Sequence, residues 1–236
     1  MKRMLPASVS LVLAVSAALV NVRPVLGHCP GGTPDPDWRA YASGGYGIAS
    51  GTLANAIVGT IQWTNPNPCT TTRGDAFTLE GINISQSGAN NGWVQVGWVD
   101  RQGYSAPKWY CEFTGESPGR WDLLEGTLGS GTYVYKMQYD SADGYWDCIV
   151  NGSGKASRTG SWMGFTSGSW LVVQGETNAT HGQIGKVAPS KLLFSDLQKR
   201  RGTTWSALNI SVNNPPAPYG VDEPAAGQLR NWTNGH

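Results

Sequence analysis

Between residues 44 and 213 apolar and polar side chains alternate in short runs, and glycine, Asn-Gly or Asp-Gly punctuates them. A period of two over five to ten residues, rich in Val, Ile, Thr, Tyr and Trp, is the pattern of half-buried β-strands. It predicts strands at Tyr46–Ser50, Ala56–Trp63, Ala76–Ser85, Trp93–Asp100, Lys108–Thr114 and Gly119–Glu125, then at Thr132–Asp140, Tyr145–Asn151, Ser169–Thr177, Lys191–Gln198 and Thr204–Asn213. No stretch sustains a helical period. The expected class is all-β, an antiparallel sandwich or barrel.

The alternation also sorts side chains by face. In Trp93–Asp100, Val94, Val96 and Trp98 share the side suited to a core, while Trp93, Gln95, Gly97 and Val99 share the other. An amide between a large aromatic and a glycine suggests the floor of a cleft, with open space at Gly97 beside Gln95. Taken alone, such an amide is more often a buried group satisfied by backbone. In Ser169–Thr177, Leu171 and Val173 are the core-facing set, which puts Trp170, Val172, Gln174 and Glu176 opposite. On Lys108–Thr114 the apolar face carries Trp109, Cys111 and Phe113, against Tyr110 and Glu112. On Tyr145–Asn151 it carries Trp146, Cys148 and Val150, against Tyr145 and Asp147. Tyr110, Glu112, Tyr145 and Asp147 are therefore either cleft residues or solvated ones.

Composition narrows the picture. Lys2 and Arg3 precede an apolar run from Val9 to Val20, too short to span a bilayer but of a length that suits a secretory signal, with cleavage expected before His28. The expected organisation is a signal peptide at 1–27, a Pro/Gly-rich segment at 28–43, a β-sandwich domain at 44–213 and an irregular tail at 214–236, in a secreted monomer without a membrane anchor. Cleavage would leave 14 Lys and Arg against 16 Asp and Glu. Without a basic face there is no source for phosphate attraction, so nucleic acid is not an expected partner.

Four cysteines in an exported chain favour two disulfides. Joining the two apolar faces pairs Cys111 with Cys148 and leaves Cys29 for Cys69, one of three possible connectivities. Their spacing is not that of a zinc site, and only three histidines are present, so no metal or other cofactor is expected.

Several of these stretches, in order, resemble a known family. Trp93-Val94-Gln95-Val96-Gly97 looks like the strand that carries the catalytic Gln of the eqolisin-type glutamic peptidases and the corresponding strand of the neprosin-like proteins. Lys108-Trp109-Tyr110-Cys111-Glu112-Phe113 is similar to their aromatic strand, and Trp170 to Glu176 to the strand bearing their catalytic Glu. The resemblance runs over about residues 44 to 213. It implies a double-sheet, concanavalin-like jelly-roll sandwich and a secreted, metal-independent endopeptidase acting on polypeptides. Gln95 and Glu176 would be the catalytic pair on a concave face, with Trp93, Gly97, Tyr110, Glu112, Trp170 and Gln174 as cleft candidates. A carboxylate can shuttle the protons of hydrolysis, and a fixed neutral amide can stabilise charge that appears only in the transition state.

A second class of function fits the same pattern. Eleven Trp and nine Tyr are a heavy aromatic load, and exposed rings stack on sugars. A glycan-binding sandwich would need such rings in a row. A glycoside hydrolase would need two carboxylates across a groove, from Asp100, Glu112, Asp147 and Glu176. Asn-x-Ser/Thr sequons at Asn83, Asn151, Asn178, Asn209 and Asn231 would mark surface glycans in a eukaryotic secretory pathway.

Overall fold

A computed structural model describes residues 40–48, 51–66, 76–86, 92–117, 119–179 and 182–234. The expected signal peptide and the Cys29–Cys69 pairing lie outside them.

In chain order the strands are β1 (Ala40–Gly47), β2 (Ala54–Gln62), β3 (Phe77–Ser85), β4 (Trp93–Arg101), β5 (Lys108–Thr114), β6 (Trp121–Thr127), β7 (Thr132–Asp140) and β8 (Tyr145–Val150). They continue with β9 (Ser153–Thr159), β10 (Trp170–Thr177), β11 (Lys186–Val187), β12 (Leu192–Arg201), β13 (Thr204–Ala207), β14 (Ser211–Val212), β15 (Tyr219–Asp222) and β16 (Leu229–Thr233). Among the described residues one short helix, α1 (Gly160–Met163), is capped by the Thr159 hydroxyl and ends on a left-handed Gly164.

Two sheets result. The first has the order β14-β1-β10-β3-β4-β5-β6, and the second runs β11-β16-β12-β2-β7-β8-β9, with β13 added on β12 and β15 on β16. Strands consecutive in sequence, such as β3-β4-β5-β6, pair through hairpins; β10 instead inserts between β1 and β3, which brings the Glu176 strand into the sheet that holds Gln95. The sheets pack face to face over Ile82, Ile84, Val94, Val96, Trp98 and Phe113 on one side and Ile57, Ile61, Tyr135, Met137, Trp146 and Phe194 on the other. Two fully buried indoles among the described residues find acceptors: Trp98 Nε1 donates to the Gln62 carbonyl at 3.2 Å, and Trp146 Nε1 to that of Phe165 at 2.8 Å. Cys111 of β5 is bonded to Cys148 of β8, joining the sheets through the core as the alternation predicts.

The structure differs from the sequence expectation at the ends. β1 starts at Ala40, inside the Pro/Gly-rich segment placed ahead of the sandwich domain, because every residue from Ala40 to Gly47 has a partner on β10. The stretch expected as one strand at Thr204–Asn213 splits into β13 and β14, which belong to different sheets. The tail is not irregular: β15 and β16 complete the second sheet, and Leu229 and Asn231 are fully buried there. Among the described residues no helix is long and apolar enough to cross a membrane.

Candidate functional site

The outward face of the first sheet is a trough of about 1220 Å³. Antiparallel register arranges its floor in cross-strand rows. In one row Glu112 of β5, Gln95 of β4, Asn83 of β3 and Val172 of β10 lie side by side. The next holds Glu125, Tyr110, Gly97, Gly81 and Gln174, and the third holds Lys108, Val99, Leu79 and Glu176. Trp93 and Trp170 share the row on the far side of Gln95, either side of Ser85.

The middle row controls the site. Gly97 and Gly81 face each other, and a methyl group at Gly97 would come within 1.9 Å of the Glu80 carbonyl oxygen. Gly97 is thus a point of close backbone approach rather than the open space expected beside Gln95, and it is buried instead of lining the trough. Tyr110, directly across from Gly97, lays its side chain over the glycine pair. Its hydroxyl stands where a Gly81 side chain would begin, 2.2 Å from that Cβ position, with Gln95 Nε2 at 3.2 Å from the same point.

Gln95 is 4 % exposed, and its Nε2 donates to the Tyr110 hydroxyl at 2.7 Å. Gln174 Nε2 donates to Glu176 Oε2 at 3.3 Å. Gln95 and Glu176 are two strands and four residues apart, roughly 10 Å across the strands and 13 Å along them. Two extended side chains do not close that span, and the Tyr110 hydroxyl occupies its middle. Burial first, then the carboxylates of Glu112 and Glu176, push that hydroxyl well above its ordinary pKa, while the Gln95 hydrogen bond opposes the rise.

Glu112, beside Gln95 in register, is half-buried and accepts the Trp121 indole N–H at 2.8 Å and that of Trp93. Burial raises its pKa, and the two indole hydrogen bonds pull the other way. At the far end Glu125 accepts Arg101 Nε at 2.9 Å and the Tyr104 hydroxyl, whose pKa burial and this carboxylate push up to about 12. That carboxylate is committed to closing the end of the trough. The rim is aromatic: Tyr41, Trp121 and Trp170 are all exposed, Trp121 by 60 %. The Trp170 indole lies flat over Gly45 and Gly47 of β1, where a methyl group would meet ring carbons at 2.7 Å.

Of the sequence candidates, Gln95, Glu176, Trp93, Tyr110, Glu112, Trp170 and Gln174 line the same trough. Gly97 does not. Tyr145 and Asp147 lie on the outer face of the second sheet, because Trp146, Cys148 and Val150 beside them point into the core. Asp100 follows Trp98 on the core side of β4 and is buried. Neither aspartate can serve a reaction in the trough. Asn231 cannot carry a surface glycan, since it is fully buried with its Nδ2 on Glu80 at 2.6 Å. Sequence reasoning passed over Gly81 and Asn83. A glycine inside the alternating run Thr78-Leu79-Glu80-Gly81-Ile82 was the available signal for the first; Asn83 read only as a sequon.

No family model and no curated protein matches the sequence. Solved structures do match in fold. A scytalido-glutamic peptidase bound to a peptide-based transition-state analogue superposes with a TM-score of 0.59 at 8 % identity, covering 82 % of this chain and 98 % of that one. SCP-B, a member of the eqolisin family in complex with the tripeptide Ala-Ile-His, gives 0.57 at 8 % identity over the same shares of the two chains. A second scytalido-glutamic peptidase complex, with a transition-state analogue inhibitor, gives 0.57 at 10 % identity. At such identities the likeness speaks for fold alone, and on that footing the chain has the glutamic-peptidase-like β-sandwich fold.

Proposed function

We propose that the protein is a secreted, metal-independent endopeptidase that hydrolyses peptide bonds in the trough of the first sheet. The observation that carries this reading is that Gln95 and Glu176 line one open trough, on either side of a buried hydroxyl. An extended polypeptide suits an open trough walled by aromatic rings. Glu176 acts as general base: it takes a proton from water as the oxygen attacks the carbonyl carbon, then returns that proton to the amine nitrogen as the C–N bond breaks. Gln95 supplies neutral amide polarity to the developing oxyanion through its hydrogen-bond partner. The basic residues and apolar run at the start of the chain support export.

The test is peptide release from a denatured protein substrate between acidic and neutral pH, comparing wild type with Glu176→Gln and Gln95→Ala. Cleavage favoured by acid is expected, with kcat falling about 100- to 10,000-fold in Glu176→Gln while the fold is retained. A wild type that releases no peptide, or a Glu176→Gln variant of unchanged rate, ends the peptidase reading.

The aromatic rim of Tyr41, Trp121 and Trp170 supports a second reading, a glycan-binding cleft. Binding of oligosaccharides that is lost in Trp121→Ala and Trp170→Ala, by a wild type inert toward peptides, would establish it instead.

A further inference from the structure

The Tyr110 hydroxyl has a property that the peptidase reading does not by itself require. It accepts from Gln95 Nε2 at 2.7 Å, yet among the described residues its own proton meets no acceptor. Tyr110 is 1 % exposed and its hydroxyl lies over Gly81, between Gln95 and the Gln174–Glu176 pair, within the lining of the trough. Because Gln95 occupies a lone pair of the phenol oxygen, the O–H is left to donate elsewhere, and the trough that Tyr110 lines offers it that space.

We propose that Tyr110 is a catalytic residue of this site, its hydroxyl donating to the oxyanion of the tetrahedral intermediate, and that Gln95 is the residue that positions it. The inference rests on the peptidase reading and on Glu176 as base. Water oxygen bonds to the carbonyl carbon, one water proton passes to the Glu176 carboxylate, and the carbonyl π electrons move onto oxygen. That oxygen then accepts the Tyr110 O–H hydrogen bond while the phenol keeps its proton. On collapse the C–N bonding pair leaves with nitrogen and takes the proton from Glu176, so that one water is consumed for each peptide bond and Tyr110 is unchanged. A phenol whose surroundings disfavour its anion stays a neutral donor through the working range, and fixed, buried neutral donors are effective oxyanion partners.

The experiment compares wild type, Tyr110→Phe, Gln95→Leu, the double variant and Glu176→Gln on an internally quenched peptide. It also measures their affinity for a phosphinate peptide, whose tetrahedral oxyanion mimics the intermediate, and for the corresponding product peptide. Tyr110→Phe keeps the ring over the glycines, and is expected to lower kcat and phosphinate affinity in parallel, by about 100- to 1000-fold, with product affinity unchanged. Gln95→Leu should cost far less when combined with Tyr110→Phe than in wild type, since Gln95 acts through the missing hydroxyl. A Tyr110→Phe enzyme at full rate, or one that loses phosphinate and product affinity equally, overturns the inference while activity lost in Glu176→Gln leaves the peptidase reading standing. A wild type that cleaves nothing removes both.

Discussion

Gly81 has no side chain, and the site depends on that. A methyl group there would lie 2.2 Å from the Tyr110 hydroxyl, 3.1 Å from the Val96 carbonyl and 3.2 Å from Gln95 Nε2. The carbonyl is backbone and cannot yield, so the tyrosine must swing away and take its hydrogen bond with Gln95 with it. Gly81→Ala is therefore expected to destabilise the fold by about 1–3 kcal/mol through overpacking. Its larger effect should fall on catalysis, with a loss of rate comparable to that of Tyr110→Phe. Thermal melting beside peptide kinetics checks this, and a variant matching wild type in both would show that Tyr110 is not held as described. Glu112 shows the same dependence on single neighbours: a carboxylate raised by burial stays in the trough because two indole N–H groups, from Trp93 and Trp121, satisfy it.

At the scale of the strands, the β3–β4 ladder runs unbroken from Phe77↔Arg101 to Ser85↔Trp93, with Gly97 so near the β3 backbone that a methyl group there would meet the Glu80 carbonyl and Gly81. Such an approach lets two neighbouring strands form a floor low enough for a tyrosine to lie across it. The disulfide acts on the neighbouring strand from beneath, tying β5, which bears Tyr110 and Glu112, to β8 of the other sheet across 37 residues of sequence. Loop-closure entropy for that separation is worth about 3–4 kcal/mol of stability. Reduction, or Cys111→Ala with Cys148→Ala, should lower the urea midpoint accordingly. Because Cys111 sits between Tyr110 and Glu112, the rate on peptides should fall before the sheet unfolds; equal losses of rate and of fold across a urea series would argue that the disulfide does not steady the trough.

Across the whole molecule, one buried carboxyl couples the two sheets. Glu80 points from β3 into the interior, where it accepts the Gly185 backbone N–H at 2.6 Å and Asn231 Nδ2 of β16 at 2.6 Å. Burial outweighs both hydrogen bonds and raises its pKa from 4.5 to about 8. Among the described residues Asn231 Oδ1 has no partner as it stands, and turning that amide over would offer an acceptor to the protonated acid. Between these two pKa values the folded protein holds a proton that the unfolded chain has released. Stability from this group is therefore fully present below pH 4.5, declines as pH rises, and is lost by about pH 8. The steepest slope is about 1.4 kcal/mol per pH unit. Urea unfolding at intervals across that window should show the decline, and Glu80→Gln should flatten it; a wild-type profile that rises toward neutrality would contradict this account. An acid-favoured fold matches the acid-favoured cleavage proposed for the trough, although the two arise from different carboxyl groups.

Local pattern alone determined a good deal. The period of two named most strands of the sandwich, put Gln95 on the face opposite Val94, Val96 and Trp98, put Glu176 opposite Leu171 and Val173, and paired Cys111 with Cys148. It could do so because alternation is set by each strand's own backbone, and a buried face leaves its mark on every second residue. What only the tertiary structure decided is which outward faces belong to the same surface. Tyr110 and Tyr145 are indistinguishable by alternation, yet one floors the trough and the other lies on the opposite side of the molecule. The same is true of Glu112 and Asp147. Insertion of β10 between β1 and β3, and the register that aligns Tyr110, Gly97, Gly81 and Gln174 in one row, are long-range pairings between segments far apart in sequence. The C-terminal strands were likewise illegible, because a two- to five-residue strand is defined by the edge it completes rather than by its own pattern.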